Sequence, residues 1–107
     1  MATTITGNGP IKTARVPLGA TVGDTTAITL PRWARDVQVA VYESDNSTQT
    51  GGTLSSSGTD GAAADGSAIR IDSAVPMFFG LSPSENEVTI YVSGDEIDAV
   101  AHIRVTS

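Results

Sequence analysis

His102 carries the single imidazole of the chain and is the first side chain to test for chemistry. A nucleophilic mechanism needs a nucleophile, a base and an orienting group within hydrogen-bond reach of one another. Serine and aspartate are plentiful, but there is no G-x-S-x-G sequence and no spacing singles out one serine. His102 also falls in a run of alternating apolar residues, where a histidine needs no function. The sequence therefore predicts that the protein is not an enzyme.

The carboxylates are the second candidate group. Most of the 12 Asp and Glu residues fall in predicted turns, where they are solvated, whereas a catalytic general acid needs burial to raise its pKa. Asp60, Asp65 and the cluster Asp95, Glu96 and Asp98 offer the hard oxygens that Ca²⁺ prefers, but their spacing does not fit an EF-hand loop. Asp-Gly pairs are also typical of turns without metal. We predict no metal and no cofactor, and leave open whether the loop at 44–66 binds a glycan or Ca²⁺.

Trp33 lies between Arg32 and Arg35 at a predicted corner. In one interpretation the indole closes the end of the core and the arginines are solvated. In the other the corner is a binding surface, because Trp and Arg dominate the hot spots of protein interfaces. The sequence leaves both interpretations open.

Met77-Phe78-Phe79 is the second apolar feature that points to an interface. Because side chains alternate between the faces of a strand, one of Phe78 and Phe79 must face away from the core. The outward ring is either covered by a loop or contacts a partner. With the basic residues of the first half of the chain, this predicts a protein interface at Lys12, Arg15, Arg32, Trp33, Arg35, Phe78 and Phe79.

The elements that position these side chains are predicted to be β-strands. Val, Ile and Thr supply 32 of the 107 residues, and their branched Cβ atoms favour a pleated surface. Val37, Val39 and Val41 alternate with other residues, and the last strand alternates in the same way from Ala99 to Val105. Seven or eight such runs are separated by turn signals. The pattern is typical of an antiparallel β-sandwich or a jelly-roll-like small barrel.

The predicted boundaries define a single domain. Residues 1–10 are predicted as a flexible N-terminal arm or a first short strand, and residues 11–107 as the β-sandwich domain. Residues 44–66 form a long loop in which 14 of 23 residues are Gly, Ser or Thr, and a short strand near 52–56 could divide it. Such long loops are usually functional or mobile.

Two shorter features complete this organisation. Pro17 predicts an edge strand or a short strand, because proline cannot donate to a ladder. In the run from 68 to 72, Ile69 and Ile71 are predicted to face inward and Arg70 outward.

Charge excludes several partners. The formal net charge is −6, with +2 over residues 1–42 and −8 over residues 43–107, so nucleic acid is not an expected partner.

No apolar run approaches the roughly 18 residues of a membrane span, and the first residues lack the features of a signal peptide. Cysteine is absent, which excludes disulfides and thiolate zinc sites. We expect a soluble protein made in a cytoplasm.

The layout resembles the small β-sandwich structural proteins of tailed-bacteriophage virions, including head decoration (cement) proteins. The resemblance spans Val16 to Val105 and rests on the run from Thr29 to Val39, the Thr/Gly-rich loop with Thr59-Asp60-Gly61-Ala62, residues 69–76 and the strand from Val88 to Gly94. It brings no catalytic or binding motif with it.

The resemblance implies a non-enzymatic virion protein on the phage head surface, present in many copies. Its partners would be the major capsid protein and further copies of itself, as a trimer on the particle, and residues 1–15 would act as an arm that clamps the shell. The alternatives are a tail, neck or fibre-associated virion module and a carbohydrate-binding β-sandwich module.

Overall fold

The structure is a computed structural model that describes residues 2–7, 9–19, 21–22, 24–56, 68–81 and 87–107. The described residues form β-strands joined by turns and bends, which confirms the predicted all-β class. The strands are β1 Ala2–Thr4, β2 Ile11–Pro17, β3 Thr26–Leu30, β4 Asp36–Tyr42, β5 Gln49–Thr50, β6 Gly52–Ser55, β7 Ala68–Ile71, β8 Met77–Gly80, β9 Val88–Gly94 and β10 Val100–Thr106.

The strands form two sheets. Sheet A has the order β1-β3-β9-β6-β7, and sheet B has the order β2-β10-β4-β5, with β8 also paired to β4. β1 runs parallel to β3, and the other described pairings are antiparallel. The sheets pack face to face, so the architecture is a β-sandwich.

The core lies between the sheets and is built from the alternating apolar positions. Val39 and Val41 of β4 and Ile103 of β10 face Ile28 of β3 and Val92 of β9, and each is at most 2% exposed. The burial of each such side chain contributes about 1.5–3 kcal/mol. Because the strands are short, this core depends on β-branched residues that pack with little loss of side-chain freedom.

The position of β2 confirms the prediction from Pro17. β2 is the edge strand of sheet B and pairs with β10 on one side. Its Val16 is fully buried, so the edge strand still closes that side of the core.

The segment 1–10, predicted as an arm or a short strand, contains β1. The amide of Ile5 continues the pairing by donating to the carbonyl of Thr29 at 2.9 Å, and the Ile5 side chain is buried. Residues 2–5 are therefore attached to sheet A. Three paired residues and one buried apolar side chain are too few to give an alternating pattern. The sequence alone therefore does not distinguish an arm from a short strand.

Two other expectations need correction. Ten strands are found in the described residues rather than seven or eight, because β1 and β5 are very short. Ile69 was predicted to face inward, but it is 58% exposed, whereas Ile71 on the same face is fully buried. β7 is an edge strand of sheet A, so its inward side chains lie at the margin of the core.

The predicted loop 44–66 is partly structured. Strands β5 and β6 occupy residues 49–50 and 52–55, in agreement with the short strand expected near 52–56. Residues 57–66 lie outside the described part of the chain.

The strand directions define two ends of the sandwich. At one end lie the start of β2, the start of β4 and the end of β3, where the corner at 31–35 joins β3 to β4. At the other end lie the turn at 43–48 and the turn at 95–98 between β9 and β10. The first end carries Lys12 and Arg32, whereas the turns at the second end carry Asp and Glu residues.

Candidate interaction surfaces

Trp33 ties the N-terminal segment to the corner between β3 and β4. Its indole Nε1 donates a hydrogen bond to the carbonyl oxygen of Gly7 at 3.0 Å. The ring is half-buried, packs against the core, and lies so close to Gly9 that a Cβ there would be 3.2 Å from Cε3 of the indole. The ring therefore closes the end of the core, as in the first interpretation, and the second, a binding surface at this corner, stays a prediction.

Arg35 stabilises the same corner. Its guanidinium donates to the carbonyl oxygens of Arg32 and Ala34, each at 2.9 Å. Its backbone amide donates to Thr106 at 2.8 Å, and its carbonyl accepts from Leu81 at 2.6 Å. Arg35 thus holds the corner in place and is only partly available to a partner.

Lys12 and Arg32 are the exposed cations of this region, together with the exposed apolar side chain of Ile11. We call the set Ile11, Lys12, Arg32 and Trp33 the basic end. Because the corner is held by hydrogen bonds, the basic end presents its side chains on an ordered backbone.

Phe78 and Phe79 of β8 face opposite sides, as predicted. Phe79 packs against the core, whereas Phe78 is 64% exposed on the outer face of sheet B. Phe78 lies beside Gln38 in the register of β8 with β4. Of the two rings, Phe78 is therefore the one available to a partner.

A shallow cleft of about 360 Å³ crosses the outer face of sheet B. Its floor is Ala40, which faces outward but is only 3% exposed because it is small and its neighbours are large. We call this surface the cleft; its walls are formed by Thr13, Arg15, Gln38, Tyr42, His102 and Arg104. A second concave region that contains Phe78 shares Gln38 and Arg104 with the cleft, so the two are continuous.

His102 is fixed inside the cleft by two contacts. Its ring stacks on Tyr42 with centroids 4.2 Å apart and an interplanar angle of 22°. Its Nε2 lies 3.0 Å from Oδ1 of Asn46, whose amide nitrogen in turn lies 3.4 Å from the carbonyl of Ser44. Since Oδ1 can only accept, Nε2 carries the proton and Nδ1 is left as an acceptor in the neutral ring.

The neutral form of His102 is favoured by its surroundings. Burial lowers the pKa of the imidazole, and the nearby guanidinium of Arg15 lowers it further. His102 therefore adds no charge to the cleft near neutral pH, and the positive charge there comes from Arg15 and Arg104.

Neither of these arginines has an ion pair or side-chain hydrogen bond within the described part of the chain. Arg70, on the other sheet, forms a bidentate pair with Asp95 at 3.0 and 2.6 Å. Arg15 and Arg104 are exposed and lie on neighbouring strands, since Arg15 is opposite His102 and Arg104 is opposite Thr13. The cleft thus presents two guanidinium groups that no described side chain engages, and such groups can bind an anion.

The opposite end of the sandwich is acidic. Some of its acids are already engaged: Asp45 accepts hydrogen bonds from the backbone amides of Ser47 and Thr48, both at 2.9 Å, and Asp95 is paired with Arg70. The hydrogen bonds from Thr48 and Ser47 lower the pKa of Asp45 to about 2. Asp45 therefore stabilises its own turn, and Asp95 links its turn to β7.

Glu96 and Asp98 have no such partner among the described residues, and both are exposed. Between them Ile97 is 63% exposed. We call Glu96, Ile97 and Asp98 the acidic tip. Its backbone is held by the amide of Asp98, which donates to the carbonyl of Gly19 at 3.1 Å.

The structure divides the seven predicted interface residues into three groups. Lys12, Arg32 and Trp33 belong to the basic end, and Arg35 holds the corner beside them. Arg15 and Phe78 lie on the outer face of sheet B, and Phe79 is directed to the core. Asp60 and Asp65, considered for Ca²⁺, lie outside the described residues.

Sequence reasoning missed most of the cleft. Arg104 shares a strand face with His102, which was visible from their spacing, but the contact of His102 with Asn46 joins residues 56 positions apart. Tyr42 and Gln38 join the cleft because β4 pairs with β10, and a single strand pattern does not specify its neighbour.

The described residues contain neither a metal-binding cluster nor a membrane-spanning helix. No three His, Cys, Asp or Glu side chains in those ranges are grouped so that they could hold a metal ion. In the same ranges, no helix is long and apolar enough to span a membrane.

Comparisons with known proteins do not assign a family. No protein-family model matches the chain, and no curated protein shows a significant match. A solved structure described under "Bacillus endospore appendages form a novel family of disulfide-linked pili" matches at 14% identity, covering 94% of this chain and 91% of the other, with a TM-score of 0.35. A similarity this low carries no argument about function.

Proposed function

We propose that this protein is a non-enzymatic structural component of a tailed-phage virion, of the head-decoration class, and that it attaches to the major capsid protein through the basic end. The observation that carries the proposal is the ordered basic end, where Trp33 and Arg35 fix the corner that presents Lys12 and Arg32. The sequence resemblance supplies the class of particle.

The basic end has the properties expected of an attachment surface. Trp33 lies half-buried at the corner, and Lys12 and Arg32 in the same region are exposed charges. Interfaces commonly combine an aromatic anchor with charged residues at the rim. Because the backbone is already ordered, less conformational entropy is lost on binding, which favours affinity.

The opposite, acidic end fits the same role. If the basic end faces the shell, the turns that carry Asp45, Glu96 and Asp98 face solvent and give decorated particles like charges that repel each other. Many copies on one particle also multiply a weak individual contact.

Addition of the purified protein to undecorated particles tests the proposal. We expect wild type to co-sediment with the particles, and cryo-EM to place it on the outer head surface. Lys12→Glu/Arg32→Glu should abolish binding, whereas Arg15→Glu/Arg104→Glu, which changes the net charge equally within the cleft, should retain it. Density for this chain in the tail or neck, or equal loss in both variants, would overturn the assignment.

A further inference from the structure

We infer that the cleft of one molecule binds the acidic tip of a second copy of the same chain, in a head-to-tail contact. The inference concerns a different surface from the basic end and goes beyond attachment to a shell. It can therefore be tested on the protein alone.

The cleft selects an anionic occupant. Arg15 and Arg104 project from neighbouring strands without an ion pair among the described residues, and both line the cleft. A guanidinium group binds a carboxylate through parallel hydrogen bonds in a fixed geometry. His102 does not oppose this, because its neutral ring adds no negative charge to the cleft. Its ring N–H donates to Asn46.

The occupant must also supply apolar surface. Phe78, 64% exposed, lies in the concave region that continues from the cleft past Gln38 and Arg104. An occupant that places carboxylates on the arginines and an aliphatic side chain beside Phe78 would use both halves of the surface.

The acidic tip meets both requirements. Glu96 and Asp98 provide carboxylates that no described residue engages, and Ile97, 63% exposed, provides the apolar side chain. Asp45 and Asp95 are less suitable because their carboxylates are held by hydrogen bonds within their own molecule. Charge complementarity therefore identifies the tip of a second copy as the occupant.

The geometry permits the contact without a change of fold. The tip is the turn between β9 and β10 and projects at the end of the sandwich, whereas the cleft lies on the outer face of sheet B. One molecule can therefore present its tip to a second molecule while its own cleft receives a third. Such contacts between unlike surfaces generate closed rings or open chains, depending on the rotation between neighbours.

The test measures the average mass of the purified protein by light scattering or sedimentation over a range of concentrations. At about 0.01 M salt, where charges interact over about 30 Å, we expect the mass to rise above the 10.9 kDa monomer as concentration increases. At about 1 M salt, where that distance falls to about 3 Å, we expect the monomer.

Charge reversal makes the test specific. Arg15→Glu/Arg104→Glu and Glu96→Arg/Asp98→Arg should each weaken self-association by about tenfold or more, because like charges then meet. A mixture of the two variants should associate, and a chain with all four substitutions should regain association by itself. Lys12→Glu/Arg32→Glu, which removes the same charge at the basic end, should associate as wild type does.

Several results would overturn the inference. These are a monomer at every concentration in low salt, wild-type association by Arg15→Glu/Arg104→Glu, or failure of the mixture and the fourfold variant to associate while both remain folded by circular dichroism. Failure of the wild-type protein to bind particles, with its self-association intact, would instead count against the proposed function alone.

Discussion

The indole Nε1 of Trp33 donates a hydrogen bond to the carbonyl oxygen of Gly7 across 3.0 Å, and this contact holds the segment that follows β1 against the corner between β3 and β4. Trp33→Phe removes the donor and keeps most of the ring. We expect the free energy of local opening of this segment to fall by about 0.5–1.5 kcal/mol. Hydrogen exchange should show faster exchange at Ile5, with β10 unchanged, and equal protection of Ile5 in both proteins would contradict this role.

Gly52 and Gly80 are both strand glycines, but only one has no room for a side chain. A Cβ at Gly52 would clash with the backbone oxygen of Ser93, whereas a Cβ at Gly80 would be 3.6 Å from the oxygen of Arg35. Gly52→Ala should therefore destabilise the fold by about 1–3 kcal/mol, the range for overpacked sites. Gly80→Ala is the matched control and should leave the urea midpoint almost unchanged; similar losses in both would show that β6 and β9 can move apart.

Phe78 and Phe79 differ in which side of β8 they occupy. Phe79→Ala should destabilise the protein by about 1–3 kcal/mol, less than the about 3–5 kcal/mol of a fully buried phenylalanine, because Phe79 is only partly buried. Phe78→Ala should leave the melting temperature near that of wild type and weaken self-association. The opposite pattern in thermal unfolding would mean that Phe78, not Phe79, supports the core.

The single histidine makes the cleft accessible to NMR. Burial and then Arg15 lower the pKa of His102 in the folded protein, so a titration of its ring protons should give a value below the usual value of about 6.5. Arg15→Gln should raise that pKa but leave it below the usual value, because burial remains. A value at or above the usual one in wild type would contradict the desolvated ring.

The same shift predicts how stability depends on pH. Since the folded pKa of His102 lies below the unfolded one, the unfolded state binds more protons, and stability falls as pH decreases through about 6.5 toward the folded pKa. Denaturant unfolding between neutral and mildly acidic pH should show this loss in wild type. His102→Gln should reduce the slope over that interval, and an unchanged slope would assign it to other groups.

Asp45 gives a dependence of the same sign in a lower pH range. Its folded pKa of about 2, set by the hydrogen bonds from Thr48 and Ser47, lies below the unfolded value of about 3.9. Its stabilising effect is therefore complete above about pH 3.9 and is lost as the pH falls to about 2. Asp45→Ala should lower the melting temperature at neutral pH but converge with wild type near pH 2. Asp24→Ala, the same charge change at an exposed residue of the acidic end, should have a smaller effect at neutral pH.

Periodic segments made much of the fold predictable from sequence. Ala101, Ile103 and Val105 alternate with outward residues in β10, and Val37 to Val41 do so in β4, so these inner faces were predicted correctly. Pro17 predicted an edge for a chemical reason that holds in any sheet context. In contrast, β1 is held by parallel pairing with β3 and by buried Ile5, and three residues carry no period to detect.

The surfaces were less predictable because they depend on which strands become neighbours. Ala40 forms the floor of the cleft only because His102 lies opposite it and Tyr42 is close by. The sequence showed an acidic second half, but the concentration of charge at one end follows from strand directions, which place the turns at 43–48 and 95–98 together.

The parallel pairing of β1 with β3 limits aggregation through the edge of sheet A. β3 would otherwise be the outermost strand of sheet A, and its unpaired amides and carbonyls would offer a template on which a strand of another chain could add. With β1 in place, the outermost strand is only three residues long and is a poor template for such growth. β1, which precedes the segment that Trp33 holds, therefore protects this edge of a Thr-rich sheet from aggregation.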